Sequence, residues 1–155
     1  MNSLPDSGMS RVLGFLEIVN DAPKPCDVDD IAAEYDLDLD EILPTVQAAE
    51  LLGLVNVHDG EIQLTSSGNK IIESTIQERK KLLRGKIAEL DLIKKFHSEL
   101  KKSGGKMHKA KAIELLEKEL FAKEAEKTFK RLIEWTRYAE LLKYNANTKQ
   151  LQINQ

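Results

Sequence analysis

The tetrapeptide Ala49-Glu50-Leu51-Leu52 returns at Ala139-Glu140-Leu141-Leu142, and each copy stands between a helical pattern and a pair of short alternating runs. Self-similarity of this kind points to two related units rather than one continuous core. After the first copy, Gly53 stops the helix and Leu54 to His58 alternate. Asp59-Gly60 supplies a tight turn, and Glu61-Ile62-Gln63-Leu64 return. After the second copy come Lys143-Tyr144, a loop at Asn145 to Lys149, and the returning run Gln150-Leu151-Gln152-Ile153. Each half therefore ends in a helix followed by a two-stranded hairpin.

The helices ahead of the first hairpin follow from apolar spacing and breakers. Val12, Leu13, Phe15, Leu16, Ile18 and Val19 predict a helix from Arg11, stopped by Asn20 to Pro23 and Pro25. Asp27 is suited to cap a second helix through Tyr35 that turns Val28, Ile31 and Ala32 inward. A third helix starts near Asp38 or Asp40 and tolerates Pro44 in its first turns. It is expected to bury Leu43, Val46, Ala49, Leu51 and Leu52. Three helices and a hairpin is the winged-helix order. Thr65 or Ser66 caps the next helix, which, with a break near Gly68 or Ser74, is expected to run to Lys102 and carry Ile76, Leu83, Ile87, Leu90, Ile93, Phe96 and Leu100. Ser103-Gly104-Gly105 ends it, and helices over Met107 to Leu120 and Lys123 to Leu142 precede the second hairpin.

The expected architecture is mainly α with some β: two tandem winged-helix-like units, each of three helices plus a hairpin wing, joined by a long helix. Residues 1–10 are expected to be a flexible N-terminal segment, 11–66 an acidic first unit, 67–102 the shared long helix and 103–155 the rest of the second unit. A chain of 155 residues with 41% hydrophobic content suffices for two small cores. No apolar run approaches the ~18 residues of a membrane span, and Met1 to Ser10 lack an export pattern, so a cytoplasmic location without membrane insertion is expected.

Charge is divided along the chain. Between Pro25 and Asn69 there is no Lys or Arg, whereas Asp27, Asp29, Asp30, Glu34, Asp36, Asp38, Asp40, Glu41, Glu50, Asp59 and Glu61 all fall there. A third helix and wing of this sign repel phosphates, so nucleic acid is disfavoured as a partner for the first unit and protein contact is favoured. From Lys70 to Arg137 the balance reverses, with Arg79, Lys80, Lys81, Arg84 and Lys86 in one cluster. A basic face beside an acidic one suits an acidic partner, nucleic acid or the acidic unit of a second copy, and interspersed Glu78, Glu89, Asp91 and Glu99 also suit a plain solvated face. A homodimer is possible on these charges. Arg79, Lys80, Arg84, Arg131 and Arg137 are the candidate partner-binding residues. Phe129, Trp135, Tyr138 and Tyr144 are expected to serve the core, or else to form an anchor patch with Arg131 and Arg137.

Catalytic, cofactor and metal residues are expected to be absent. Gly104-Gly105-Lys106 is followed by Met107 and lacks the earlier glycine of a phosphate-binding loop, so the chain alone is not expected to hydrolyse ATP. Asp36-x-Asp38-x-Asp40 imitates the start of a calcium loop. Glu41 replaces its glycine and Gln47 its final carboxylate, which leaves a turn that caps a helix as the better use. His58, His97 and His108 lack partners at ligand spacing, and Cys26 is the only cysteine, so no disulfide or thiolate zinc site is available.

Several blocks together resemble one family. Val12 to Glu17, Ile42 to Gly53, Ile62 to Gly68, Ile76 to Lys80 and Trp135 to Leu142 are similar, in order, to the AAA-associated C-terminal domain found at the end of ATP-binding subunits of nitrate, sulfonate and bicarbonate type ABC importers. The resemblance implies a non-catalytic regulatory or interaction domain that docks on such an ATPase subunit or on another protein. This chain carries no ATPase domain of its own, so it is either an excised domain or a version acting in trans. The other reading of its residues is a winged-helix DNA-binding transcription regulator.

Overall fold

A computed structural model of the chain describes residues 3–154. The chain divides into two units, one over Pro5–Arg79 and one built from Lys80 onward together with residues 3–4. The first contains α1 (Met9–Asp21), β1 (Cys26–Asp27), α2 (Val28–Glu34), α3 (Leu39–Leu51), β2 (Val55–His58), β3 (Glu61–Leu64) and α4 (Ser66–Glu73). Helix α5 (Ile76–Ala88) contains the unit boundary. The second unit continues through α6 (Asp91–Lys102), β4 (Lys106–His108), α7 (Lys109–Glu117), α8 (Ala122–Tyr138), β5 (Leu142–Asn145) and β6 (Gln150–Ile153).

The fold is mainly helical, with a small antiparallel sheet in each unit ordered β1-β3-β2 and β4-β6-β5. The sequence α1, β1, α2, α3, β2, β3 is repeated by α6, β4, α7, α8, β5, β6. Registers repeat as well: Cys26 pairs with Ile62 and Val57 with Ile62, while Met107 pairs with Leu151 and Tyr144 with Leu151. In both units the residue that opens the second helix donates its N–H to a carbonyl of the hairpin turn, Val28 to Gly60 at 3.1 Å and Lys109 to Lys149 at 2.8 Å. Their caps differ in chemistry and agree in geometry: Asp27 Oδ1 accepts from the Asp29 N–H at 3.1 Å, and His108 Nδ1 from the Ala110 N–H at 3.0 Å.

The literal repeat does not mark equivalent positions. Helix α3 ends at Leu51 with Gly53 at φ 73°, and the Leu54 N–H returns to the Ala49 carbonyl at 2.9 Å. Helix α8 ends at Tyr138 with Glu140 at φ 57°, and the Leu141 N–H returns to the Thr136 carbonyl at 2.8 Å. Both are the same six-residue helix stop, and they equate Ala49 with Thr136 and Leu54 with Leu141. The first Ala-Glu-Leu-Leu is therefore the last turn and cap of a helix, whereas the second is cap, turn and first strand residue. The duplication of topology is present, three residues out of step with the repeated letters.

Other sequence expectations are corrected by packing. The segment 67–102 has the break expected near Ser74 and a second, unexpected one at Glu89-Leu90, so it is three helices, and Ile76 is 75% exposed rather than part of an apolar spine. Leu83, Ile87, Ile93, Phe96 and Leu100 are buried as expected. Leu43 and Leu51, expected in the core of the first unit, are exposed, and α3 instead buries Ile42, Thr45, Val46, Ala48 and Ala49. Within the segment 1–10 expected to be loose, Leu4, Ser7 and Met9 are buried, and Ser7 Oγ lies 2.8 Å from Thr45 Oγ1. Strands β1 and β4 have two and three residues, too few for an alternating pattern to reveal.

Two substitutions check this account. A Cβ on Gly68 would lie 2.1 Å from the Leu54 carbonyl oxygen, which is backbone and also accepts the Thr65 N–H. Gly68→Ala is expected to destabilise the first unit by about 1–3 kcal/mol, read as a lower midpoint in chemical unfolding. Glu140→Gly relieves a side-chain-bearing residue of its left-handed backbone and is expected to stabilise the second unit by about 0.5–1 kcal/mol, read by the same transition.

Candidate docking surface

The unit boundary separates the charges sharply. Residues 5–79 hold four Lys and Arg against sixteen Asp and Glu, a formal −12, and residues 80–155 hold nineteen against ten, a formal +9. Few large apolar side chains are exposed among the described residues, and most of those are confined to one stretch of the acidic unit. Tyr35, Leu37, Leu39, Leu43 and Leu51 are 39–46% exposed. Leu39 and Leu43 are one turn apart on the outer face of α3, so their side chains are neighbours. Exposed Asp36, Asp38, Asp40, Glu41 and Glu50 surround them. Beside Leu37 and Glu41, Arg11, Phe15 and Ile18 of α1 line a groove of about 300 Å³.

Local chemistry explains why this ridge is held in place. Asp36 takes a left-handed conformation at φ 52° and ends α2, with the Leu37 N–H returning to the Ala32 carbonyl at 2.8 Å. Asp38 then caps α3 by accepting the Asp40 N–H at 3.3 Å. The alternating carboxylates of Asp36 to Asp40 are thus a helix stop and a helix start, and no cluster of His, Cys, Asp or Glu among the described residues is arranged to hold a metal ion.

The second unit presents the opposite surface at the equivalent place. Lys109, Glu126, Lys127, Phe129, Lys130, Ile133, Arg137, Tyr144 and Ala146 line an open groove of about 500 Å³ between α8 and β5. Phe129 and Tyr144 meet edge to face at 5.6 Å and form its floor, and Lys109 Nζ lies 5.6 Å from the Phe129 ring centroid and 3.5 Å from Glu126. Lys127 and Lys130 are exposed on the groove side of α8.

Of the five candidate cations, the structure places only Arg137 in this groove, where its guanidinium donates to the Tyr144 carbonyl at 3.0 Å. Arg79 donates through Nε to the Ile71 carbonyl at 3.2 Å, which closes the end of α4. Lys80 lies 3.8 Å from Glu140 and 5.6 Å from the Tyr138 ring centroid. Arg131 pairs with Glu134 at 2.9 Å. Arg84 is exposed on α5. The aromatic group divides as well, with Trp135 fully buried among the core and Tyr144 at the groove. Lys127 and Lys130 were missed by sequence reasoning, although Lys123, Lys127, Lys130 and Arg137 recur at helical spacing and so share one face.

With this geometry in view, comparison with known proteins is informative at the level of the family. Residues 29–145 match the C-terminal AAA-associated domain. The chain belongs to that family. The matched segment of the AAA-associated chain includes the whole α3 ridge and every groove residue except Ala146. No curated protein and no solved structure matches the chain. Among the described residues no helix is long and apolar enough to cross a membrane.

Cys26, just outside the matched segment, is 2% exposed within β1, and burial pushes its thiol up from the ordinary range. Little thiolate is then present near neutral pH, and access is closed. A maleimide or disulfide reagent is therefore expected to leave native protein unmodified over a period in which denatured protein reacts fully, as mass spectrometry would read.

Proposed function

We propose that this AAA-associated domain is a non-catalytic interaction and regulatory module that docks on an ATPase subunit and biases its activity or assembly. Family membership carries the reading, since domains of this family are associated with ATPases. The importer ATPases of nitrate, sulfonate and bicarbonate type, to which the sequence resemblance points, are the proposed partners, and a cytoplasmic location belongs to the same proposal. Each unit is read as winged-helix-like, with α3 and α8 as third helices and the hairpins as wings; the repeated order of elements supports that reading. The exposed leucines of α3, ringed by carboxylates, supply what a protein contact needs: apolar area to remove from water and charge to orient the partner.

A second reading has its own support. The +9 balance of residues 80–155, together with Lys127 and Lys130 on a third helix beside a hairpin, is compatible with a DNA-binding regulator.

The purified chain used as bait in native lysate, beside fluorescence-anisotropy titrations against generic duplex DNA at low and moderate salt, separates the two. Recovery of an ABC ATPase or its permease, identified by mass spectrometry, without DNA binding is expected, and the ATPase rate of that subunit should change when the chain is added. DNA affinity that falls steeply with salt, with no transporter component recovered, would reject the docking reading in favour of the regulator.

A further inference from the structure

The two exposed faces of this chain match each other in kind. The α3 ridge is anionic and apolar at once, with Leu39 and Leu43 flanked by Asp40 and Glu50. The α8–β5 groove is cationic and apolar at once, with Lys127, Lys130 and Arg137 above Phe129, Ile133 and Tyr144. We infer that the α3 ridge of one copy seats in the α8–β5 groove of a second copy, so that the chain self-associates through its acidic and basic units.

The mixed chemistry decides the occupant. A phosphodiester backbone would meet the cations, yet it would also meet Glu126 and cover an aromatic floor with a strongly hydrated chain. A ridge with leucines between carboxylates satisfies both halves of the groove. The chain itself carries such a ridge on a unit of formal charge −12, against +9 on the unit that bears the groove. Because every copy has both faces, each can enter the contact as ridge or as groove. Complementary charge would hasten encounter and set orientation, and the buried leucines would supply the part that salt does not screen. This inference goes beyond docking on an ATPase and requires none, since it concerns the purified chain alone.

A charge exchange tests it. Sedimentation velocity of the full chain at low ionic strength is expected to show species above the monomer mass that dissociate as salt is raised. Asp40→Lys/Glu50→Lys and Lys127→Glu/Lys130→Glu are each expected to weaken self-association more than about tenfold. An equimolar mixture of the two should recover it, because the exchanged pair on each variant then faces a pair of opposite sign on the other. Circular dichroism verifies folding, and Leu43→Gln, which removes an exposed apolar contact without altering charge, gives an independent loss should a charge variant fail to fold. Wild-type protein that stays monomeric at low salt overturns the proposal, as does a mixture that remains monomeric or a pair of variants that associate like the wild type. DNA binding abolished by Lys127→Glu/Lys130→Glu in a monomeric chain would assign the groove to nucleic acid and overturn it too. Since no ATPase is present, the outcome is independent of whether the docking reading holds.

Discussion

Everything in each unit depends on how its third helix stops. In α3 and α8 the chain passes through one left-handed residue, Gly53 or Glu140, and the following N–H bonds back to a carbonyl five residues earlier. That bond satisfies an end of the helix and sets the exit direction of the chain. A strand begins directly at Val55 or Leu142 and pairs with its returning partner, which in turn pairs with the short strand ahead of the second helix. The hairpin turn then accepts the first N–H of that helix. Backbone groups thereby close a circuit around a small core, which is why units with little sequence in common repeat the same order.

The circuit places few demands on the outer faces of α3 and α8, and there the two units differ in character. Their inner faces are both apolar: Ile42, Val46 and Ala49 on one, Ala125, Leu132 and Trp135 on the other. Their outer faces carry opposite charge, and exposed charges contribute little to folding in either case. Such positions are free to be shaped by partners, and the exposed leucines of α3 and the aromatic floor beside α8 are the places where that freedom is visible.

Much of the local structure was legible in the letters because it is made locally. Asp27 and Asp38 cap the helices they precede, and Asp59-Gly60 forms a two-residue turn with both φ values positive, 52° and 84°. The candidate site was less legible. Arg79, Lys80 and Arg131 are cations like any other in the sequence, yet each is engaged with a neighbour on its own unit. Lys127 and Lys130 gain their interest only from the Phe129–Tyr144 pair, in which a residue of α8 meets one of β5.

Helix spacing, caps, turns and the segregation of charge were settled by residues within a few positions of one another, and they stand in the fold as the chain alone specifies them. Three features were decided only in the folded units. Leu43 and Leu51 have the hydrophobicity of core residues but lie on a side of α3 where they are left 40% and 46% exposed. The repeated Ala-Glu-Leu-Leu adopts two different structures because α8 stops three residues earlier relative to those letters. Strands β1 and β4, of two and three residues, exist because β3 and β6 offer a free edge to each of them. For the leucines and the short strands the deciding elements are distant in sequence, whereas the two fates of the repeat follow from where each helix stops in the folded unit.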